Sequence, residues 1–123
     1  VSHQETEIWT KRWFANKYVH DIYEQLLLYV LKANGIAGRF KGFLNIGDNG
    51  NKVYFSFLHY YNKDQILAID SIKDFEDPYY FKKMALVKEF PDITYIVFTH
   101  EDLKNPPKAF EEKFKNFNMK EYI

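Results

Sequence analysis

The sequence predicts an α/β domain, a mixed central sheet with helices flanking it, in the order α-β-β-β-α-β-α. Three observations lead there. The stretches 65–72 (QILAIDSI) and 93–99 (ITYIVFT) are apolar on both faces, as strands inside a sheet are. Asp77-Pro78 opens a helical pattern between them, so the two strands should be joined by a right-handed crossover and run parallel. A long helical pattern ahead of them leads into short, glycine-punctuated aromatic segments.

Ser2 and Glu5 form a capping box at the start. Ile8, Trp9, Trp13, Val19, Ile22, Tyr23, Leu26, Leu27, Val30 and Leu31 then recur at helical spacing. The span is long for one helix; a break near 15–17 gives a short leading helix and a main one over 17–33. Asn34-Gly35 stops it, since glycine takes the left-handed conformation at little cost. Segments 35–40 and 41–46 read as short β segments, and Asp48-Asn49-Gly50-Asn51 as a turn. Residues 52–61, rich in Val, Tyr and Phe, read as one strand. Asn62-Lys63-Asp64 turns the chain into the central strand at 65–72.

Asp77 is the expected N-cap of the crossover helix and Pro78 its first residue. Tyr80, Met84, Val87 and Phe90 share its apolar face, and Pro91-Asp92 ends it. After the strand at 93–99, His100-Glu101-Asp102 reads as the cap of a short turn. Asn105-Pro106-Pro107 leads into an amphipathic helix carrying Phe110, Phe114 and Phe117. The expectation is one domain over 1–123, with a core at about 17–103, a helical extension at 1–16 and a C-terminal helix at 106–118.

Composition narrows the function. The 17 basic residues equal the 17 acidic ones, so any contact with a polyanion must come from a local basic face. Cysteine is absent, which excludes disulfides and thiolate metal sites and fits an intracellular, cytoplasmic setting. The longest apolar run, 26–31, is too short to span a bilayer, so no membrane partner is expected. Aromatics make up 20% of the chain, which reflects either AT-rich coding or a surplus of exposed rings for stacking and partner contact.

The element order and hydrophobic pattern over about 17–103 resemble the restriction-endonuclease-like, or PD-(D/E)xK, nuclease family, and most closely its small phage junction-resolving and very-short-patch-type members. Val53-Tyr54-Phe55-Ser56-Phe57-Leu58 resembles the Pro-Asp-Phe strand, Ala68-Ile69-Asp70-Ser71-Ile72-Lys73 the Glu-x-Lys strand, and 90–99 the end of the crossover helix with the last core strand. Glu24 matches the helix glutamate of that family. The resemblance implies a magnesium-dependent site, but this chain departs from it. Ser56 stands at the metal-aspartate position, Asp70 is an acceptable acid, and Ile72 stands where the lysine belongs. Magnesium needs hard oxygen ligands and the chemistry needs a cation near the attacking water. Lys82 or Lys83 on the crossover helix can supply a migrated lysine, and Asp64 or Asp74 a second carboxylate in a shifted register.

Each of these residues has a plainer reading: Glu24 on a solvated helix face, Asp70 in a structural ion pair. His3, His20, His59 and His100 show no metal-ligand spacing, and no phosphate loop or nucleophile elbow is present. Trp9 and Trp13 share a face that belongs either to the core or to a docking surface. In the family's geometry Arg39, Lys41, Lys73, Lys82 and Lys83 flank the nucleic-acid cleft; the plainer alternative is solubility charge. The leading expectation is a catalytically degenerate nuclease-fold domain that binds nucleic acid, with DNA the expected type, in a replication, recombination or transcription assembly, with no cofactor. A protein-interaction or structural subunit is the alternative from another class. A divergent magnesium-dependent endonuclease using Asp70 and Glu24 is the third.

Overall fold

A computed structural model describes residues 22–60 and 64–115. The expected helix at 1–16, the Trp9–Trp13 pair, the capping box at Ser2, the break near 15–17, His3, His20 and Phe117 lie outside the described residues.

The first helix among the described residues, α1 (Ile22–Ala33), ends as expected at Asn34-Gly35. Gly35 has φ 74°; its N–H donates to the Lys32 carbonyl and that of Ile36 to the Leu31 carbonyl. This is a Schellman stop, and it folds Ile36 back beside Leu31 in the core.

Five short strands follow: β1 (Arg39–Phe40), β2 (Phe43–Asn45), β3 (Lys52–Tyr54), β4 (Phe57–Tyr60) and β5 (Ile66–Ile72). β2 and β3 form a hairpin closed by a 3-10 turn at Asp48–Gly50, where Asn49 and Gly50 both take positive φ. The expected single strand over 52–61 is thus two. The chain leaves the β2–β3 hairpin after Tyr54 and enters a four-stranded sheet at Phe57, with Phe55-Ser56 as the joint. A continuous β pattern cannot reveal this switch, because both halves have the same period and composition.

The four-stranded sheet runs β1-β4-β5-β6, with β6 at Ile93–Thr99. β1–β4 and β4–β5 are antiparallel, and β5–β6 are parallel in the register Ile66↔Ile93 to Ile72↔Thr99. The parallel pair is joined through α2 (Pro78–Val87), as the crossover reading expects. Asp77 accepts the Tyr79 N–H at 2.8 Å and Pro78 fills the first turn. α2 stops at Val87, one turn before the expected Phe90, which is left at the surface. β5 is buried at 67–70 and at Ile72, but β6 lies at the sheet edge and only Val97, Phe98 and Thr99 are buried.

Side chains alternate between two cores. One face of β5, with Leu67 and Ile69, packs on α1 and on α3 (Pro106–Phe114) through Leu27, Leu31, Phe110 and Phe114. The other face, with Ala68, packs on Leu44, Phe55, Leu58 and on Met84 and Val87 of α2. The molecule therefore has helices on both sides of a mixed sheet, and none of the described helices is long and apolar enough to cross a membrane.

The turn after β6 is capped reciprocally. Thr99 N–H donates to Asp102 Oδ2 at 2.9 Å, Asp102 N–H donates to Thr99 Oγ1 at 3.1 Å, and Lys113 of α3 joins Asp102 at 3.1 Å. Burial alone would raise the Asp102 carboxyl, but the Thr99 N–H and the Lys113 ammonium outweigh it and hold it below its ordinary 3.8. A folded-state value lower than the unfolded one gives stability that is complete above about pH 4 and is lost as pH falls through the folded value. Asp102→Asn should remove that acid-side dependence, seen as a flatter profile of urea midpoint against pH below about pH 4. A second prediction concerns Gly38, where a Cβ would fall on the Leu58 carbonyl oxygen. Gly38→Ala should push β1 off β4 and cost about 1–3 kcal/mol in denaturant unfolding.

Candidate functional site

Three segments meet at one end of the sheet. One step past the Phe57↔Ile69 pair, the register sets Ser56 opposite Asp70. The Ser56 N–H, at the joint where β3 gives way to β4, donates to Asp70 Oδ1 at 2.8 Å. The Ser56 hydroxyl donates to Glu24 Oε1 at 2.7 Å. Ser56 thus bridges two carboxylates that are only 5% (Glu24) and 4% (Asp70) exposed. Glu24 lies in the first turn of α1, and burial overturns its plainer reading as a solvated residue.

Two ammonium groups answer the two carboxylates. Lys83 Nζ lies 2.7 Å from Asp70 Oδ2 and 4.9 Å from the centre of the Phe55 ring. Lys41 Nζ lies 2.9 Å from Glu24 Oε1. Lys41 reaches in because its backbone is left-handed, φ 55°, at the joint between β1 and β2. There its N–H donates to the Ser56 carbonyl, and the Phe55 N–H donates to the Gly42 carbonyl. A lysine in that region carries backbone strain of order 1 kcal/mol, held in place by these two bonds. Tyr95 of β6 donates its hydroxyl to Asp70 Oδ2 at 2.6 Å. Burial first, and then the Asp70 carboxylate, push the Tyr95 phenol far above its ordinary value, so it stays a donor.

Glu24, Lys41, Phe55, Ser56, Asp70 and Lys83 floor an open cleft of about 240 Å³ that is also lined by Tyr54, Ser71, Asp77, Tyr79 and Tyr80. Of the residues expected from sequence, Glu24, Lys41, Ser56, Asp70 and Lys83 come together here, and Ile72 lines the wall. Lys82 does not; its ammonium stands over the exposed Tyr79 ring at 6.0 Å. The helix phase explains the choice. Tyr80, Met84 and Val87 form the inner face of α2, and Lys83 lies on it, one turn from Tyr80. Arg39 and Lys73 are exposed and outside the cleft lining, as are Asp64 and Asp74. Tyr95, Asp77 and Ser71 are not among the site residues expected from sequence, Asp77 being read there as a helix cap. Tyr95 was legible in principle: in the parallel register it lies on the Asp70 face, two residues before the partner Val97. The Ser71 hydroxyl is buried and has no hydrogen-bond partner among the described residues.

The donor set is a poor fit for magnesium. Both Asp70 oxygens already accept hydrogen bonds, from Ser56 on one side and from Lys83 and Tyr95 on the other. The Glu24 oxygen that faces Ser56 is shared with Lys41. A small divalent cation wants several free oxygen ligands in octahedral array, and the two lysines have already offset the charge that would draw it. Among the described residues no three His, Asp or Glu side chains are grouped as metal ligands.

The buried pair yields a prediction. Lys83→Met leaves Asp70 charged and buried, and should destabilise the fold by about 3–5 kcal/mol. Lys83→Met with Asp70→Asn should recover part of that loss, and the difference is read by a double-mutant cycle in urea.

Comparison with family models, with curated proteins and with solved structures returns no match to this chain.

Proposed function

We propose that this chain is a restriction-endonuclease-like domain that binds nucleic acid at the cleft without cutting it. The observation that supports this reading best is the convergence of Glu24, Ser56, Asp70 and Lys83. Glu24 comes from α1, Ser56 from the β3–β4 joint, Asp70 from β5 and Lys83 from α2; the resemblance puts the first three at positions of one nuclease site and offers Lys82 or Lys83 as the migrated lysine, and all four line one cleft. Sequence spacing alone imposes no such meeting.

The chemistry of the cleft favours binding over cleavage. Serine in place of the metal aspartate donates its hydrogen bonds to the remaining acids and ties them together. Lys83 and Lys41 balance those acids, so the floor carries little net charge. Phosphate contact then falls to exposed cations around it, with Arg39, Lys73 and Lys82 the candidates from this reading.

Fluorescence anisotropy with labelled DNA and RNA at low salt tests the proposal. Binding should weaken steeply as salt rises, and Arg39→Ala and Lys82→Ala should each reduce the salt slope by about one. No cleavage is expected in magnesium or manganese. Metal-dependent cleavage lost in Asp70→Ala would establish a divergent endonuclease instead. Absence of binding to any nucleic acid at low salt would leave a protein-interaction or structural subunit.

A further inference from the structure

We infer that the ligand of this cleft is an unpaired strand, whose bases stack on aromatic rings at the two lips; the inference rests on the nucleic-acid reading above. One lip is the β2–β3 hairpin. Its Tyr54 lines the cleft yet is 54% exposed, and Phe43, also exposed, lies beside it at 5.7 Å between ring centres. The other lip is α2, whose Tyr79 lines the cleft and is 69% exposed. The exposed faces of these rings add little to either core. The apolar filling behind them is supplied by Tyr95 with Phe55 and Tyr80, which both pack on it.

Each lip pairs a ring with a cation. Lys52 Nζ stands 4.5 Å from the centre of the Phe43 ring, and Lys82 Nζ stands 6.0 Å from that of Tyr79. A flat ring beside an ammonium group matches a nucleotide, which offers a base face and a phosphate a short distance apart. The floor is a weak phosphate site, because Lys41 and Lys83 are held by Glu24 and Asp70. The accessible cations that stand beside rings, Lys52 and Lys82, therefore lie at the lips.

A duplex cannot use this arrangement. Its base faces are stacked on one another, and it presents only groove edges and backbone. An unpaired strand has free base faces, and stacking on protein rings is indifferent to sequence. The same pattern explains why a chain with no net charge can still hold a polyanion: the rings, and not a general positive field, supply much of the affinity.

The test uses the whole chain, a labelled oligothymidine and a duplex of the same length, by anisotropy at low salt. The single strand should bind at least about tenfold tighter than the duplex. Tyr54→Ala and Tyr79→Ala should each weaken single-strand binding by roughly tenfold and leave duplex binding unchanged, whereas Tyr54→Phe and Tyr79→Phe should retain it. Tyr29→Ala, at an exposed ring on α1 outside the cleft lining, should have no effect. Because all three side chains are exposed, unchanged thermal melting should accompany every variant. Duplex binding as tight as single-strand binding, or alanine variants that bind like the parent, would overturn the inference and leave the nucleic-acid reading standing. No binding to either oligonucleotide would overturn the inference, and no binding to RNA at low salt either would overturn the nucleic-acid reading with it.

Discussion

One hydrogen bond organises this molecule, that from the Ser56 amide to the Asp70 carboxylate. The chain must pass from the β2–β3 hairpin into the four-stranded sheet, and a strand that changes partners leaves an amide without its ladder bond. A buried amide left unpaired costs about 1–3 kcal/mol. Asp70, projecting from the next strand, supplies the missing acceptor. The burial of a carboxylate in an otherwise apolar strand follows from that service, and so do the donors gathered around it. Lys83 and Tyr95 complete the shell of Asp70, and the Ser56 hydroxyl recruits Glu24, which in turn holds Lys41.

The outcome is a network of four charges in which each acid has its own ammonium partner. Such a network is costly to build and costly to break, and it places α1, the β1–β2 joint, β5 and α2 in fixed relation. It also removes the property a metal site needs, a cluster of acids whose charge is left unbalanced. A serine at the joint fits that logic, because it can donate twice where an aspartate could donate from its amide alone. Exposed rings and lysines remain at the rims, and the proposed binding is placed there.

Much of the fold was legible along the chain, for local physical reasons. Gly35 marks the end of α1 because its left-handed backbone is nearly free of steric cost there. Asp77-Pro78 marks the start of α2 because a carboxylate cap and a residue lacking an N–H suit a helix N-terminus. The doubly apolar pattern at 66–72 is that of a strand covered on both faces, which β5 is. The crossover between β5 and β6 follows from a helix lying between two such strands. Less was legible where two arrangements share one pattern. The break at Phe55-Ser56 lies inside a run of four buried residues, 55–58, that reads as continuous strand, and β6 at the sheet edge carries an apolar sequence that is only half-buried. The choice of Lys83 over Lys82 depended on the phase of α2, which its apolar positions already contained.

The sequence by itself determined the periodic elements, their punctuation and the positions where an acid or a cation would be unusual, since these rest on short-range sterics and on burial pattern. Tertiary structure alone decided which of those groups meet. Glu24, Lys41, Ser56, Asp70 and Lys83 are spread across the chain and brought together by strand register and helix packing, which no local rule encodes. Pairing of charges is a through-space matter: an acid and a base neutralise each other at 2.7–2.9 Å however far apart they lie along the backbone.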